Sequence, residues 1–86
     1  MTKLNRFWFR FERFSEPTSL NFGCGVTAFD RSDAERILKS TVFADQNMPR
    51  IEDVVENIEF EMLESHHVAP NIGVMSVRGV WFPLGH

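Results

Sequence analysis

Hydrophobic and polar side chains alternate through the first segment of the chain. Three phenylalanines occupy one side of the alternation, and polar residues together with one tryptophan occupy the other. The two sets are Phe7, Phe9 and Phe11 on the first side, and Arg6, Trp8, Arg10 and Glu12 on the second. A period of two with aromatic enrichment predicts a half-buried strand over residues 5–14. Trp8, on the polar side, must then either pack under a neighbouring element or contact a partner.

The clearest helical pattern lies in residues 32–43. Its apolar positions recur at the three- and four-residue spacing of one buried helix face. These positions are Ala34, Ile37, Leu38, Thr41 and Val42. Ser32 and Glu35 have the spacing of a capping box, and Asp30 is an alternative N-cap. The pattern predicts one main helix that ends near Phe43.

The remaining segments predict three further strands. Residues 23–29 read as a strand entered through glycines, and residues 77–82 as a last strand. Residues 50–64 are ambiguous, because their apolar residues fit a helical stripe but most are β-branched. We favour a strand over residues 51–58, followed by a short helical turn over residues 61–65. The order β-β-α-β-short α-β predicts an α+β fold, in which a small, mostly antiparallel sheet of about four strands carries one main helix on one face.

The composition is that of a small domain with an aromatic core. The chain has 86 residues, nine Phe and two Trp, and large rings can supply most of a core of this size. We therefore expect a single domain over residues 1–86. A lone Cys cannot form an internal disulfide, and no signal peptide or membrane-spanning apolar run is visible. These features predict a cytoplasmic protein.

Charge is unevenly distributed along the chain. The net charge is −3, yet residues 1–14 are mainly basic, and residues 45–64 hold seven acidic residues against Arg50 alone. We do not expect nucleic acid to bind, because a chain with this balance meets phosphates poorly. A row of carboxylates is a solvated face by default, and a docking surface for a basic protein is the functional alternative. The predicted partner-binding residues are Glu52, Asp53, Glu56, Glu59, Phe60, Glu61 and Glu64. Phe60 or Met62 would supply the apolar anchor.

Cys24 and the histidines are the candidates for chemistry. Cys24 lies between two glycines, and as a nucleophile it would need a base such as His66 or His67. The alternative is a small buried residue whose flanking glycines allow another segment to pack closely. The histidines, including His86, lack the spacing of a metal site. We therefore predict a non-enzymatic protein with no catalytic residue, no metal and no cofactor.

Two further functions remain open at this point. The aromatic first strand and residues 78–82 invite comparison with an RNA-recognition sheet, where aromatic side chains on adjacent strands stack bases. Alternatively, an exposed Trp8 and an edge strand rich in Arg and Phe would let the sheet pair with a second copy. The protein would then be a homodimeric structural or regulatory module.

Three segments together resemble a family of small uncharacterised bacterial proteins of about this length. They are GCGVTA at residues 23–28, HVAPNIG at 67–73 and RGVWFPLG at 78–85. The family is loosely similar to immunity proteins, which neutralise toxins delivered between bacterial cells. The resemblance implies a bacterial cytoplasmic domain that binds a toxin. A nuclease toxin is basic because it grips phosphates, so an inhibitor with a carboxylate-rich surface would complement it.

Overall fold

A computed structural model describes residues 3–86, which contain four strands, one α-helix and three short 3-10 helices. The strands are β1 (Asn5–Phe11), β2 (Cys24–Ala28), β3 (Ile51–Glu56) and β4 (Gly79–Phe82), and the helix is α1 (Arg31–Ser40). The 3-10 helices are Ser19–Asn21, Phe60–Met62 and Ala69–Asn71. This content confirms the predicted α+β class.

The strands form one antiparallel sheet in the order β3-β1-β2-β4. The aromatic strand β1 therefore lies inside the sheet, while β3 and β4 are its edges. The prediction of an edge strand of Arg and Phe is wrong, because β1 pairs with β2 on one side and β3 on the other. Both sides of the β1 backbone are paired with neighbouring strands, so β1 is not open to pairing with a second copy.

One face of the sheet is covered by α1. The three alternating phenylalanines of β1 point to this face, as predicted, and pack with the apolar stripe of the helix. The buried cluster comprises Phe7, Phe9, Phe11, Cys24, Val26, Ala28, Ala34, Ile37, Leu38, Val42 and Phe43. The period-two pattern of the strand and the helical period of α1 thus meet in one core, because each element has one apolar side to bury.

Asp30 caps the N-terminus of α1. Its side chain accepts a hydrogen bond of 2.8 Å from the backbone N–H of Asp33. Ser32, the first residue of the predicted capping box, is therefore already inside the helix, and the alternative cap is the correct one. The cap satisfies one of the otherwise unpaired N–H groups of the first helical turn.

The regular part of α1 ends at Ser40, before the predicted end near Phe43. Thr41 leaves helical geometry (φ −123°, ψ −83°), and its hydroxyl donates to the carbonyl of Ile37 at 2.6 Å. This side-chain bond competes with the backbone bond that would continue the helix. The chain continues as turns, which still carry Phe43 into the core.

The second face of the sheet is also covered, by the irregular segment between β3 and β4. Trp8, Trp81 and Phe82 point to this side and pack with apolar residues of that segment, and Trp8 is 8% exposed. Of the two alternatives for Trp8, packing under a neighbouring element is the correct one. The residues of the segment in this cluster are Ile58, Leu63, Val68, Ala69, Ile72 and Met75.

Residues 50–64 adopt the favoured strand, but a shorter one. β3 ends at Glu56, and Asn57 follows in the left-handed region at φ 58°. Asn tolerates this conformation better than most residues, so the chain turns there and the predicted strand to residue 58 stops early. The predicted turn over residues 61–65 is realised as the 3-10 helix Phe60–Met62.

An ion pair ties the start of β4 to the start of α1. The guanidinium of Arg78 donates to both carboxylate oxygens of Asp33, with 2.9 Å between Nε and Oδ2. Asp33 also accepts the backbone N–H of Phe29 at 3.1 Å. The hydrogen bond from Arg78 is the main reason that the pKa of Asp33 falls to about 2. The buried carboxylate is therefore charged, and both of its oxygens accept hydrogen bonds that hold the fold together.

Candidate protein-docking surface

All seven residues predicted to bind a partner have exposed side chains. We name the set Glu52, Asp53, Glu56, Glu59, Phe60, Glu61 and Glu64 the acidic surface. Its first three members lie on the edge strand β3, and the other four lie on the segment that follows it. On β3, Asp53 shares the face of Arg10 and Glu56 shares the face of Phe7, so the set extends around the edge of the sheet. An exposed sheet edge that carries carboxylates is protected against pairing with another copy of the same edge, because like charges oppose each other.

Two carboxylates of the acidic surface have partners within the chain. Glu59 forms an exposed ion pair with Arg6 at 3.2 Å, and Arg6 also donates to the carbonyl of Ile58 at 2.7 Å. These bonds attach the segment after β3 to β1. The carboxylate of Glu64 accepts hydrogen bonds from His66 and His67.

Glu64 organises a tight turn. It accepts the backbone N–H groups of His66 and His67, and its Oε2 lies 2.7 Å from Nδ1 of His67. The backbone bond from His67 is the largest cause of a pKa for Glu64 of about 2, and the His67 ring and the backbone of His66 add to it. Glu64 is therefore a fixed anion at neutral pH, on the surface and in a defined orientation.

A groove of about 270 Å³ lies on the Trp8 face of the sheet, beside the acidic surface. Its floor is apolar, and three charged side chains line it. The apolar residues are Trp8, Val55, Ile58, Leu63 and Val68, and the charged ones are Arg10, Asp53 and Glu64. Asp53 and Arg10 are cross-strand partners in the β1–β3 register, which brings both to this face.

Exposed apolar side chains stand at the rim of this groove. Met62 lines the groove and is 61% exposed, and the ring of Phe22 lines it too, stacked on the imidazole of His67 with 5.2 Å between ring centroids. Phe60, the other predicted anchor, is 50% exposed but lines a separate shallow depression beside Arg6 and Glu59. Met62 is one of the two predicted apolar anchors, and contact with a partner was one of the two alternatives for Trp8, whereas Phe22 and Arg10 were not assigned to the surface.

Cys24 is a core residue of β2. It has no exposed surface, and this burial raises the pKa of its thiol to about 12. A buried, protonated thiol does not act as a nucleophile. His66 and His67 lie instead on the surface, in the turn organised by Glu64.

The glycine beside Cys24 allows close packing, as the structural alternative for this segment proposed. A Cβ atom at Gly25 would lie 2.5 Å from Cε3 of Trp81 and closer still to Cζ3 and Cη2. The indole of Trp81 therefore lies directly on the backbone of β2. Only a residue without a side chain leaves room for this contact.

The histidines do not gather with other ligands. Within residues 3–86, no group of three or more His, Cys, Asp or Glu side chains is arranged to hold a metal ion. His66 lies beside Glu64 with 3.9 Å between Nδ1 and Oε1, and His67 is bound to the same carboxylate. The role that the structure shows for this cluster is to hold a turn.

The sheet offers no open aromatic platform in the described part of the chain. Phe7, Phe9 and Phe11 are buried beneath α1, and Trp81 is buried on the opposite face. Stacking of bases requires rings that are accessible on the sheet surface. The aromatic strands therefore serve the two cores, and the comparison with an RNA-recognition sheet loses its physical basis.

No family model, curated protein or solved structure matches the chain. The resemblance to small bacterial proteins and to immunity proteins thus stays a prediction. Among the helices of residues 3–86, none has the length and apolar character needed to cross a membrane.

Proposed function

We propose that this chain is a non-enzymatic domain of the bacterial cytoplasm that binds a basic protein through the acidic surface. The observation that carries the proposal is the exposure of all six carboxylates on β3 and the following segment, next to the exposed apolar side chains of Phe60 and Met62. Carboxylates at a rim supply steering and orientation, and apolar side chains beside them supply affinity.

The placement of the other candidate groups supports the same proposal. Cys24 is buried in the core, the aromatic side chains of β1 and β4 are covered, and the carboxylate of Asp33 is paired with Arg78. Six exposed carboxylates remain on β3 and the segment that follows it. A surface of this kind suits recognition better than general acid–base chemistry, which needs groups set in a cleft with separated pKa values.

The partner that fits best is a toxin whose active surface is basic. An inhibitor of such a toxin gains association rate by presenting carboxylates where the substrate's phosphates would lie. The choice of a toxin rests on the resemblance to immunity proteins, and the choice of a basic one rests on the acidic surface. The basic partner is therefore sought first as the product of the gene adjacent to that of this chain.

Co-expression in bacteria tests the proposal. The adjacent gene product is induced alone, with the wild-type chain, and with the double variants Glu56→Gln/Glu61→Gln and Glu12→Gln/Glu16→Gln. Both pairs are exposed acids and remove the same charge, but only the first pair belongs to the acidic surface. We expect the wild-type chain and the second variant to restore growth, and the first variant to restore it poorly. Absence of toxicity, or equal rescue by both variants, would rule the proposal out.

A further inference from the structure

The groove on the Trp8 face has the features of a receptor for one long cationic side chain. Its volume of about 270 Å³ lies just below the roughly 300–1,000 Å³ of pockets that hold small molecules. Its floor includes the indole of Trp8, and its charged residues are the carboxylates of Asp53 and Glu64 and the guanidinium of Arg10, so the lining carries a net negative charge. An apolar floor with carboxylates at the mouth matches a side chain that has an aliphatic stem and a cationic head.

The carboxylates of the groove remain able to accept a partner. Within residues 3–86, Asp53 takes part in no ion pair, although Arg10 lies opposite it in the β1–β3 register. Glu64 accepts two backbone N–H groups through Oε1 and faces the His67 ring through Oε2, so its orientation is fixed before a partner arrives and one acceptor site on Oε2 remains. Preorganised acceptors lose less conformational entropy on binding than mobile ones.

We propose that this groove binds an arginine side chain of the partner protein, with the guanidinium at Asp53 and Glu64 and the methylene stem on the floor formed by Trp8 and Val55. This inference rests on the proposed protein-binding function and names the part of the partner that is recognised. Arginine fits better than lysine, because its planar guanidinium can donate to two carboxylates at once.

The two tryptophans provide a direct readout. Trp8 lines the groove, whereas Trp81 is 1% exposed and does not line it. In a ¹⁵N–¹H spectrum each indole N–H gives one signal, and the Trp81 signal, from a ring whose centroid lies 5.8 Å from that of Trp8, is expected to move less than the Trp8 signal. The probe is an acetylated hexapeptide of alternating glycine and arginine. Its controls are the same peptide with citrulline, a neutral analogue of arginine, and with lysine.

A matched pair of variants separates the groove from general charge attraction. Asp53→Asn and Glu52→Gln each remove one negative charge from the same exposed strand, but Asp53 lines the groove and Glu52 does not. We expect Asp53→Asn to weaken binding of the arginine peptide by about 3- to 5-fold, in keeping with one exposed ion pair. Glu52→Gln is expected to weaken it by less than about 1.5-fold, through the loss of long-range attraction only.

The outcomes are distinct. Movement of the Trp8 signal with the arginine peptide, less with lysine and none with citrulline, supports the groove. Shifts of the backbone amides of the acidic surface with an unmoved Trp8 signal, and equal effects of the two variants, would overturn the groove while leaving the acidic surface as a docking site. Equal binding of the citrulline peptide would also overturn it. No shift at any residue would count against both the groove and the proposed function.

Discussion

The close approach of the Trp81 indole to the backbone of Gly25 gives a sharp test of the packing on the second face of the sheet. We consider the variant Gly25→Ala, which adds a single methyl group under the indole. That carbon would lie 2.5 Å from Cε3 of Trp81, far inside the roughly 3.5–4.0 Å at which carbon atoms attract each other. The indole or the backbone of β2 must move by about 1 Å to accept it.

The cost follows from the surroundings of the indole. Trp81 is among the largest fully buried side chains and packs against Trp8 with 5.8 Å between ring centroids, so it has little room to move. Overpacking in a closed core costs about 1–3 kcal/mol, and we expect the upper end, about 3 kcal/mol. For a domain of this size, that is a fall of about 12–24 °C in Tm.

The assay is urea unfolding followed by tryptophan fluorescence, with two comparison variants. At Gly73 a Cβ would meet Leu84 Cδ2 at 3.5 Å, an ordinary contact, so Gly73→Ala is expected to change the free energy of unfolding by less than about 1 kcal/mol. Trp81→Leu removes the ring that Gly25→Ala encounters. In the Trp81→Leu background, Gly25→Ala should cost less than about 1 kcal/mol, which makes the double variant strongly non-additive.

Two results would refute the reasoning. If Gly25→Ala and Gly73→Ala destabilised the protein equally, close approach of the indole would not be the reason for glycine at position 25. If Gly25→Ala had the same cost with and without the Trp81 ring, the contact between the two residues would not carry the effect.

Three further predictions concern the charged and reactive groups. Asp33→Asn removes the charge that Arg78 pairs with, and should lower the free energy of unfolding by about 1.5–3 kcal/mol in urea titrations; a change below about 0.5 kcal/mol would contradict the role of the pair. Because the folded-state pKa of Asp33 is lowered from 3.8 to about 2, its contribution is fully present above about pH 4 and is lost as the pH falls toward 2. Unfolding midpoints of the wild type should therefore fall across that range more steeply than those of Asp33→Asn, and parallel curves would disprove the linkage. Because burial raises the pKa of Cys24 to about 12, Ellman's reagent should react with the native protein only at the rate of unfolding, whereas rapid labelling under native conditions would show an accessible thiol.

The elements that the sequence predicts well are those with a regular period. The alternation of Phe7, Phe9 and Phe11 identifies β1, and the stripe from Ala34 to Val42 identifies α1, because each element buries one side. Their boundaries shift where local bonds intervene. β1 ends at Phe11 rather than residue 14, at a bulge in its pairing with β3.

The covering of the second sheet face could not be predicted in the same way. Its apolar residues occur in turns and 3-10 helices, where neither a period of two nor of 3.6 applies. Ile58, Leu63 and Val68 recur every five residues, which matches neither period, and only the fold brings them over Trp8. The presence of a tryptophan on the polar side of β1 was the one signal that something covers this face.

The candidate site was predictable only in part. Carboxylates in a dense run tend to remain exposed whatever the fold, so the members of the acidic surface could be named from the sequence. The groove could not, because Phe22, Asp53 and Glu64 come from three separate segments that converge only in the folded chain.

The central claim is that the carboxylates of the acidic surface guide a basic protein to this chain, and its most direct test is kinetic. The association rate constant with the basic product of the adjacent gene is measured by stopped-flow fluorescence at about 50 to about 500 mM salt, for the wild type and for Glu56→Gln/Glu61→Gln. The account predicts a rate that falls steeply as salt rises, and a slower rate with a shallower salt dependence for the variant. Identical rates for both proteins, unchanged by salt, would contradict it.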